Sequence, residues 1–138
     1  MKWLPTWLPT LLCVAAILWL TLAPHPLGDQ KLPMFPGADK IAHALMFFVF
    51  TLCVLLDTLH MRRCRRLQLP IVALISFIGM GMGVGIEYLQ AAMHMGRSFE
   101  FMDMAADAFG AILAGAVWIL IDNSWLRPDP TAPPKIPL

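Results

Sequence analysis

Charged side chains are scarce in this sequence: 14% of its 138 residues are Asp, Glu, Lys or Arg, against about 25% in an ordinary soluble domain. With 59% of the residues hydrophobic and a mean hydropathy of +0.69, so short a chain carries more apolar surface than a water-facing core of its size can hide. Lipid is the solvent this composition suits. Cysteine is sparse too. Cys13, Cys53 and Cys64 follow no paired spacing, which excludes a disulfide framework and a cysteine-based zinc site. Two of them fall in apolar runs, where cysteine acts as a small hydrophobe. The net charge of +1 offers no field for a polyanion, so no nucleic-acid partner is expected. There is no tandem repeat, no nucleophile elbow, no Walker A loop and no His-x-x-x-His metalloprotease pair.

What is present is four apolar runs, roughly Leu4–Ala23, Ile41–Leu59, Pro70–Met93 and Met102–Ile121. Each is close to the ~20 residues a helix needs to cross the hydrocarbon core. The runs are continuous rather than alternating, and only helices or closed barrels satisfy backbone groups in lipid. The expected fold is therefore all-α, a four-transmembrane-helix bundle. Pro5, Pro9 and Pro70 fall at or before first turns, where a missing N–H matters least. Lys2 and the apolar run after it resemble a signal peptide, but Thr21-Leu22-Ala23 is followed by Pro24 and lacks the small-x-small pattern, so a retained first helix is expected. The segment Pro24–Lys40 is rich in Pro and Gly and reads as a loop. The expected organisation is a transmembrane domain over residues 1–126 and a flexible, Pro-rich cytoplasmic tail over 127–138.

Basic residues set the expected orientation. Lys2, Arg62, Arg63, Arg65, Arg66, Arg127 and Lys135 fall on one side, and Lys31, Lys40 and Arg97 on the other, seven against three. Both termini and the arginine loop are thus expected in the cytoplasm, with a multi-pass chain in the bacterial inner (cytoplasmic) membrane. Trp3, Trp7 and Trp125 suit the interfacial belt on that side, and Arg62–Arg66 suit anionic lipid heads. Asp57 and Asp122, near the cytoplasmic helix ends, read as solvated. Gly79, Gly81, Gly83 and Gly85 in the third run, and Ala106, Gly110 and Ala114 in the fourth, are small-residue stripes that let helices approach closely in lipid. The third and fourth helices are expected to pack together, with Gly81 and Gly85 as one such pair.

Ionisable residues in spans are costly and mark function by default. The candidates are Asp39, Lys40, His43, Glu87, Gln90, Arg97, Asp103 and Asp107. Glu87 lies about 9 Å, and His43 about 4–5 Å, from the outer ends of their runs at the helical rise. Lys40 and His43 are i,i+3; Glu87 and Gln90 are i,i+3; Asp103, Asp107 and Gly110 are i,i+4,i+7, so each set shares a helix face. Three helices present polar stripes at one level, which points to a shared pocket on the outer face. An internal ion-pair network that holds the bundle together is the plainer account of the same residues. Asp39 is also placed to cap the second helix, and Lys40 to snorkel towards headgroups.

The run Asp39-Lys40-Ile41-Ala42-His43, then Glu87-Tyr88-Leu89-Gln90, then Arg97, then Asp103 through Gly110 resembles the VanZ-like family of small membrane proteins. The motifs occur in order across three of the four helices. The one departure is Asp107, where that family usually carries Asn. The family's namesake is associated with resistance to the lipoglycopeptide teicoplanin, so the resemblance implies a role at the cell envelope.

Three functions fit these residues. In the first, the pocket recognises or modifies an amphiphilic envelope lipid or glycolipid, such as a lipid-linked precursor. Arg97 and Lys40 pair with anionic oxygens, and Glu87, Asp103 and Asp107 hold those cations or accept sugar hydroxyls. In the second, carboxylates and His43 serve as acid and base in a membrane-embedded hydrolase or transferase. In the third, Glu87 carries a proton in a small coupled transporter, although its depth is shallower than transporter sites usually are. No cofactor is expected. A metal on His43, Glu87, Asp103 and Asp107 has some precedent in ligand type, but Lys40 and Arg97 compete for the same carboxylates, so none is expected. The oligomeric state is open.

Overall fold

The computed structural model describes residues 5–23, 35–62, 67–93 and 100–121. All regular structure there is helical: α1 (Leu8–Leu22), α2 (Ala38–Arg62), α3 (Leu69–Met93) and α4 (Phe101–Ile121). The second, third and fourth are long and apolar enough to cross a membrane, whereas α1 has 15 residues, about 22 Å of helix against a hydrocarbon core of about 30 Å. The first apolar run is thus only partly helical among the described residues. The second runs further than its apolar stretch, because Ala38–Lys40 and His60–Arg62 continue the helix beyond it. His60 and Arg62 then sit in the last turn of α2, where positive charge complements the helix dipole.

Helix starts follow local chemistry. Phe35 accepts a hydrogen bond from the Ala38 N–H across Pro36-Gly37, and Gly37 has φ +89°. Proline followed by a glycine of positive φ is the signature of a type II turn, and this turn launches α2 with Asp39 and Lys40 in its first coil. Asp39 is exposed within that first turn, so its charge favours the helix N-terminus from inside the helix rather than from the capping position. Pro70 lies in the first turn of α3, as expected, and Gln68 accepts from the N–H groups of Ile71 and Val72.

The helices alternate in direction. The N-terminal part of α1 meets the C-terminal part of α2 through Thr10 and Asp57, and the C-terminal part of α1 meets that of α3 through Thr21 and Gln90. The N-terminal ends of α2 and α4 meet through Lys40 and Asp103. So α2 and α4 run parallel, with α1 and α3 opposed to them. α4 packs most extensively on α2, then on α3, and does not touch α1 among the described residues. One apolar cluster joins Ile17, Phe47, Phe50 and Ile86; a second joins Leu55, Leu67, Val72 and Ile75 at the other end.

Polarity is reversed relative to a water-soluble bundle. Trp19, Phe77, Phe109, Leu120 and Ile121 are exposed, while Glu87 and Asp107 are 0% exposed and His43, Gln90 and Asp103 are buried. Large apolar side chains facing outwards around a polar interior require an apolar solvent. The chain is a helical membrane protein.

Three expectations need correction. The close glycine contacts of α3 are made by Gly79 and Gly83, not by Gly81 and Gly85. A Cβ at Gly79 would meet Ala111 Cβ at 3.0 Å, and one at Gly83 would meet Asp107 Cβ at 2.6 Å, whereas nothing lies within 4 Å at Gly81 or Gly85. Both pairs are four apart and sequence spacing cannot choose between them; the face that carries Glu87 decides. Gly110, placed with α3 by its stripe, instead faces the α2 backbone at Ala44 and Phe48. The expected α3–α4 packing is nevertheless present, with Gly115 against Ser76 and Val72.

Asp57 is also not solvated. It is 6% exposed, and its Oδ2 accepts from both the N–H and the hydroxyl of Thr10. The first turn of α1 has Trp7 at the capping position with no side-chain bond, and Pro9 in its second place. Its remaining N–H groups need an acceptor, and Asp57 supplies one from the neighbouring helix. Asp122, Arg63, Arg65, Arg66 and the tail from residue 127 lie outside the described residues.

Candidate functional site

Because α2 and α4 are parallel, their polar stripes meet rung by rung. Lys40 pairs with Asp103 (Nζ–Oδ1 3.0 Å), and one turn deeper His43 pairs with Asp107 (Nδ1–Oδ1 2.9 Å). The spacing i,i+3 on one helix and i,i+4 on the other is what lets two rungs form. The backbones approach closely at Gly110, three residues past Asp107, where α4 lies against Ala44 and Phe48 of α2. A side chain at that place would part the helices and stretch both rungs.

α3 packs against the cluster from the third side. Glu87 is buried between the other helices, and one ligand atom from each of His43, Glu87 and Asp107 lies within 4.8 Å of the others. Gly83, one turn before Glu87, leaves room for the Asp107 carboxylate: a Cβ there would lie 2.9 Å from Oδ2. Thus α3 brings a carboxylate and, by having no side chain at Gly83, makes room for another.

The cluster is graded in burial. At its mouth, Lys40 bonds Glu100 (2.8 Å) as well as Asp103, with the Lys40 and Glu100 side chains 35% and 49% exposed. Below, Asp103 faces His43 Nε2 at 4.0 Å. At the floor are His43, Glu87 and Asp107, all buried. With Asp107 as a carboxylate, His43 Nδ1–H donates to it, and Nε2 is the ring nitrogen that faces Asp103. Glu87 Oε2 accepts from the Glu100 N–H at 3.3 Å. Glu87 Oε1 and Asp107 Oδ2 are buried with no partner among the described residues.

Of the eight sequence candidates, Lys40, His43, Glu87, Asp103 and Asp107 lie together. Asp39 is exposed at the mouth, with a carboxylate oxygen within 4.8 Å of ligand atoms of His43 and Asp103. Gln90 departs from the expected cluster: it is buried, and its Nε2 donates to the Thr21 carbonyl of α1 at 2.9 Å. It ties α1 to α3. That carbonyl is left over at the end of α1, whose last carbonyls lack partners in their own helix. Arg97 lies outside the described residues.

One participant was missed. Glu100 binds Lys40 through its side chain, binds Glu87 through its N–H, and receives the N–H groups of Asp103 and Met104 at the start of α4. Its signal was available: an acidic residue immediately before an apolar run is placed at a helix N-terminus.

Charge within the described pocket is unbalanced. Asp39, Glu87, Glu100, Asp103 and Asp107 provide carboxyl groups, while the cations are Lys40 and, when protonated, His43. Such an arrangement suits hydroxyls, cationic groups and metal ions better than a bare anion.

The family model described as VanZ/LLP1 matches residues 10–122, more than four-fifths of the 138-residue chain. No curated protein and no solved structure matches the chain.

Proposed function

This chain belongs to the VanZ/LLP1 family, and from that premise we propose that it recognises an amphiphilic envelope lipid by its polar head. The observation that carries this reading is the grading of the pocket. A half-exposed Lys40–Glu100 pair, with buried Asp103 beneath it, lies over a buried His43–Glu87–Asp107 floor, and exposed apolar helix surfaces surround both. A lipid enters such a site with its tail along the helices and its head in the pocket. The excess of carboxylates favours a hydroxyl-rich head, because ionised carboxylates accept and do not donate. Lys40 serves a phosphate by exchanging one of its two carboxylate partners for the anion. Basic residues at the opposite end of α2, with Arg62 its last residue, support a place for the cluster on the outer face of the cytoplasmic membrane through the positive-inside rule. A connection with glycopeptide resistance would then run through an envelope lipid.

Native mass spectrometry of the detergent-purified chain tests this reading. One glycolipid or lipid-linked sugar is expected to co-purify with wild type and to be lost in Lys40→Met and Glu87→Gln variants that keep their helicity. Retention of the same lipid by both folded variants, or no selective lipid on wild type, would overturn it.

A second reading has one specific observation in its favour, the His43–Asp107 couple beside buried Glu87. A carboxylate that orients an imidazole is the arrangement of a general base, and the reaction class would be hydrolysis or transfer at the same lipid head. Turnover of the co-purified lipid that persists in His43→Ala and Glu87→Gln variants would exclude it.

A further inference from the structure

The floor of the pocket poses an electrostatic problem that the lipid reading does not solve. Glu87 and Asp107 are both 0% exposed and lie together with the buried His43. Carboxylates taken out of water need a compensating charge close by, since an uncompensated buried ion costs several kcal/mol even after relaxation. Lys40 does not provide it, since its contacts are with Glu100 and Asp103 at the mouth, and a protonated His43 would balance only one of the two carboxylates. Competition from Lys40 and Arg97 is the reason the sequence gives for expecting no metal; Lys40 is engaged by the two mouth carboxylates rather than by the deeper pair, and Arg97 lies outside the described residues. Glu87 Oε1 and Asp107 Oδ2 are each buried without a partner among the described residues, whereas buried acceptors in proteins are almost always satisfied.

We propose that His43, Glu87 and Asp107 bind one divalent first-row transition ion. One imidazole nitrogen and two carboxylates give a mixed N/O donor set that suits Zn²⁺ or Mn²⁺, with further positions open. Their ligand atoms lie within 4.8 Å of one another, and ligands at about 2.0–2.2 Å from a common ion are separated by at most about 4.4 Å, so a small inward movement completes the site. A dication also balances two carboxylates beside a neutral imidazole. Asp39, His43 and Asp103 form a second trio of suitable spacing. It is disfavoured because Asp39 is exposed and Asp103 is held by Lys40. Both trios use His43, so one equivalent of metal per chain is expected. The inference goes beyond lipid recognition and does not need it.

The test uses metal ions alone on the full chain in detergent, stripped with a chelator and titrated with Zn²⁺, Mn²⁺ and Mg²⁺. One equivalent of Zn²⁺ or Mn²⁺ should bind, with Mg²⁺ at least about 100-fold weaker because imidazole is a poor Mg²⁺ ligand. His43→Ala, Glu87→Gln and Asp107→Asn should each weaken binding by about 100-fold or more, since loss of a supporting residue alone costs 10–100-fold. Lys40→Met should leave it intact. Co²⁺ loaded into wild type should give the visible absorption of a low-symmetry N/O site, a readout that holds even if a variant does not fold. The absence of saturable binding by wild type together with a featureless Co²⁺ spectrum would overturn the proposal. Binding lost in Asp103→Asn but kept in Glu87→Gln would overturn it as well, by moving the ion to the exposed trio.

Discussion

Adding one methyl group at Gly110 should both loosen the bundle and disable the pocket. A Cβ there would overlap the Ala44 carbonyl and come within 3.0 Å of the Phe48 nitrogen. These are backbone atoms and cannot rotate away. Carbon–oxygen contacts between helices settle near 3.3–3.6 Å, so α2 and α4 must part by an amount on the order of 1 Å. A gap of that size forfeits a quarter to a half of each dispersion contact along the seam. In lipid, packing of this kind replaces the hydrophobic effect as the force between helices. Overpacking typically costs about 1–3 kcal/mol, and the upper part of that range is expected here because backbone meets backbone. The same movement stretches the 2.9 Å His43–Asp107 bond beyond hydrogen-bonding range. Gly81→Ala and Gly85→Ala are the controls. Nothing lies within 4 Å of either added methyl, and alanine is the better helix former by up to about 1 kcal/mol, so neither should destabilise. The assay is unfolding followed by tryptophan fluorescence in mild detergent, with all three variants in one micelle preparation. Gly110→Ala unfolding at or above the midpoint of Gly81→Ala would refute the reasoning, and with it the parallel α2–α4 seam.

Further outcomes follow from the same contacts. Gly83→Ala drives a methyl into the Asp107 carboxylate and should cost about 1–3 kcal/mol, with a larger loss of pocket binding than of midpoint; an undiminished pocket would be the contrary result. Asp57→Leu removes the acceptor for the Thr10 N–H and hydroxyl and should cost about 1–3 kcal/mol. In a double-mutant cycle with Thr10→Val the two losses should be less than additive, and strict additivity would mean that the contact carries no energy. Lys40→Met removes the bond to half-exposed Glu100 and the bond to buried Asp103, and should lower the unfolding midpoint, because a buried acceptor is left without its partner, while it weakens retention of an anionic lipid. An unchanged midpoint would be the contrary result.

The sequence alone gave the helical membrane fold, because continuous apolar runs of bilayer length leave few alternatives. It also assembled most of the pocket. Lys40 with His43, and Asp103 with Asp107, lie on one face of their helices through local periodicity, which needs no knowledge of neighbours. Partner choice lies beyond periodicity. Gly79/Gly83 and Gly81/Gly85 have the same spacing, and only the rotation of α3 that buries Glu87 puts the first pair against α4 and the second in lipid. Gln90 shares a helix face with Glu87, yet the spare Thr21 carbonyl of α1 draws it away from the cluster. Asp57 looked solvated from its place near a helix end, and it became a buried cap because the start of α1 lies beside it. Local chemistry is written residue by residue along the chain. The matching of one helix's unsatisfied groups to another's depends on distances between residues 47 to 69 positions apart, and these exist only once the bundle has formed.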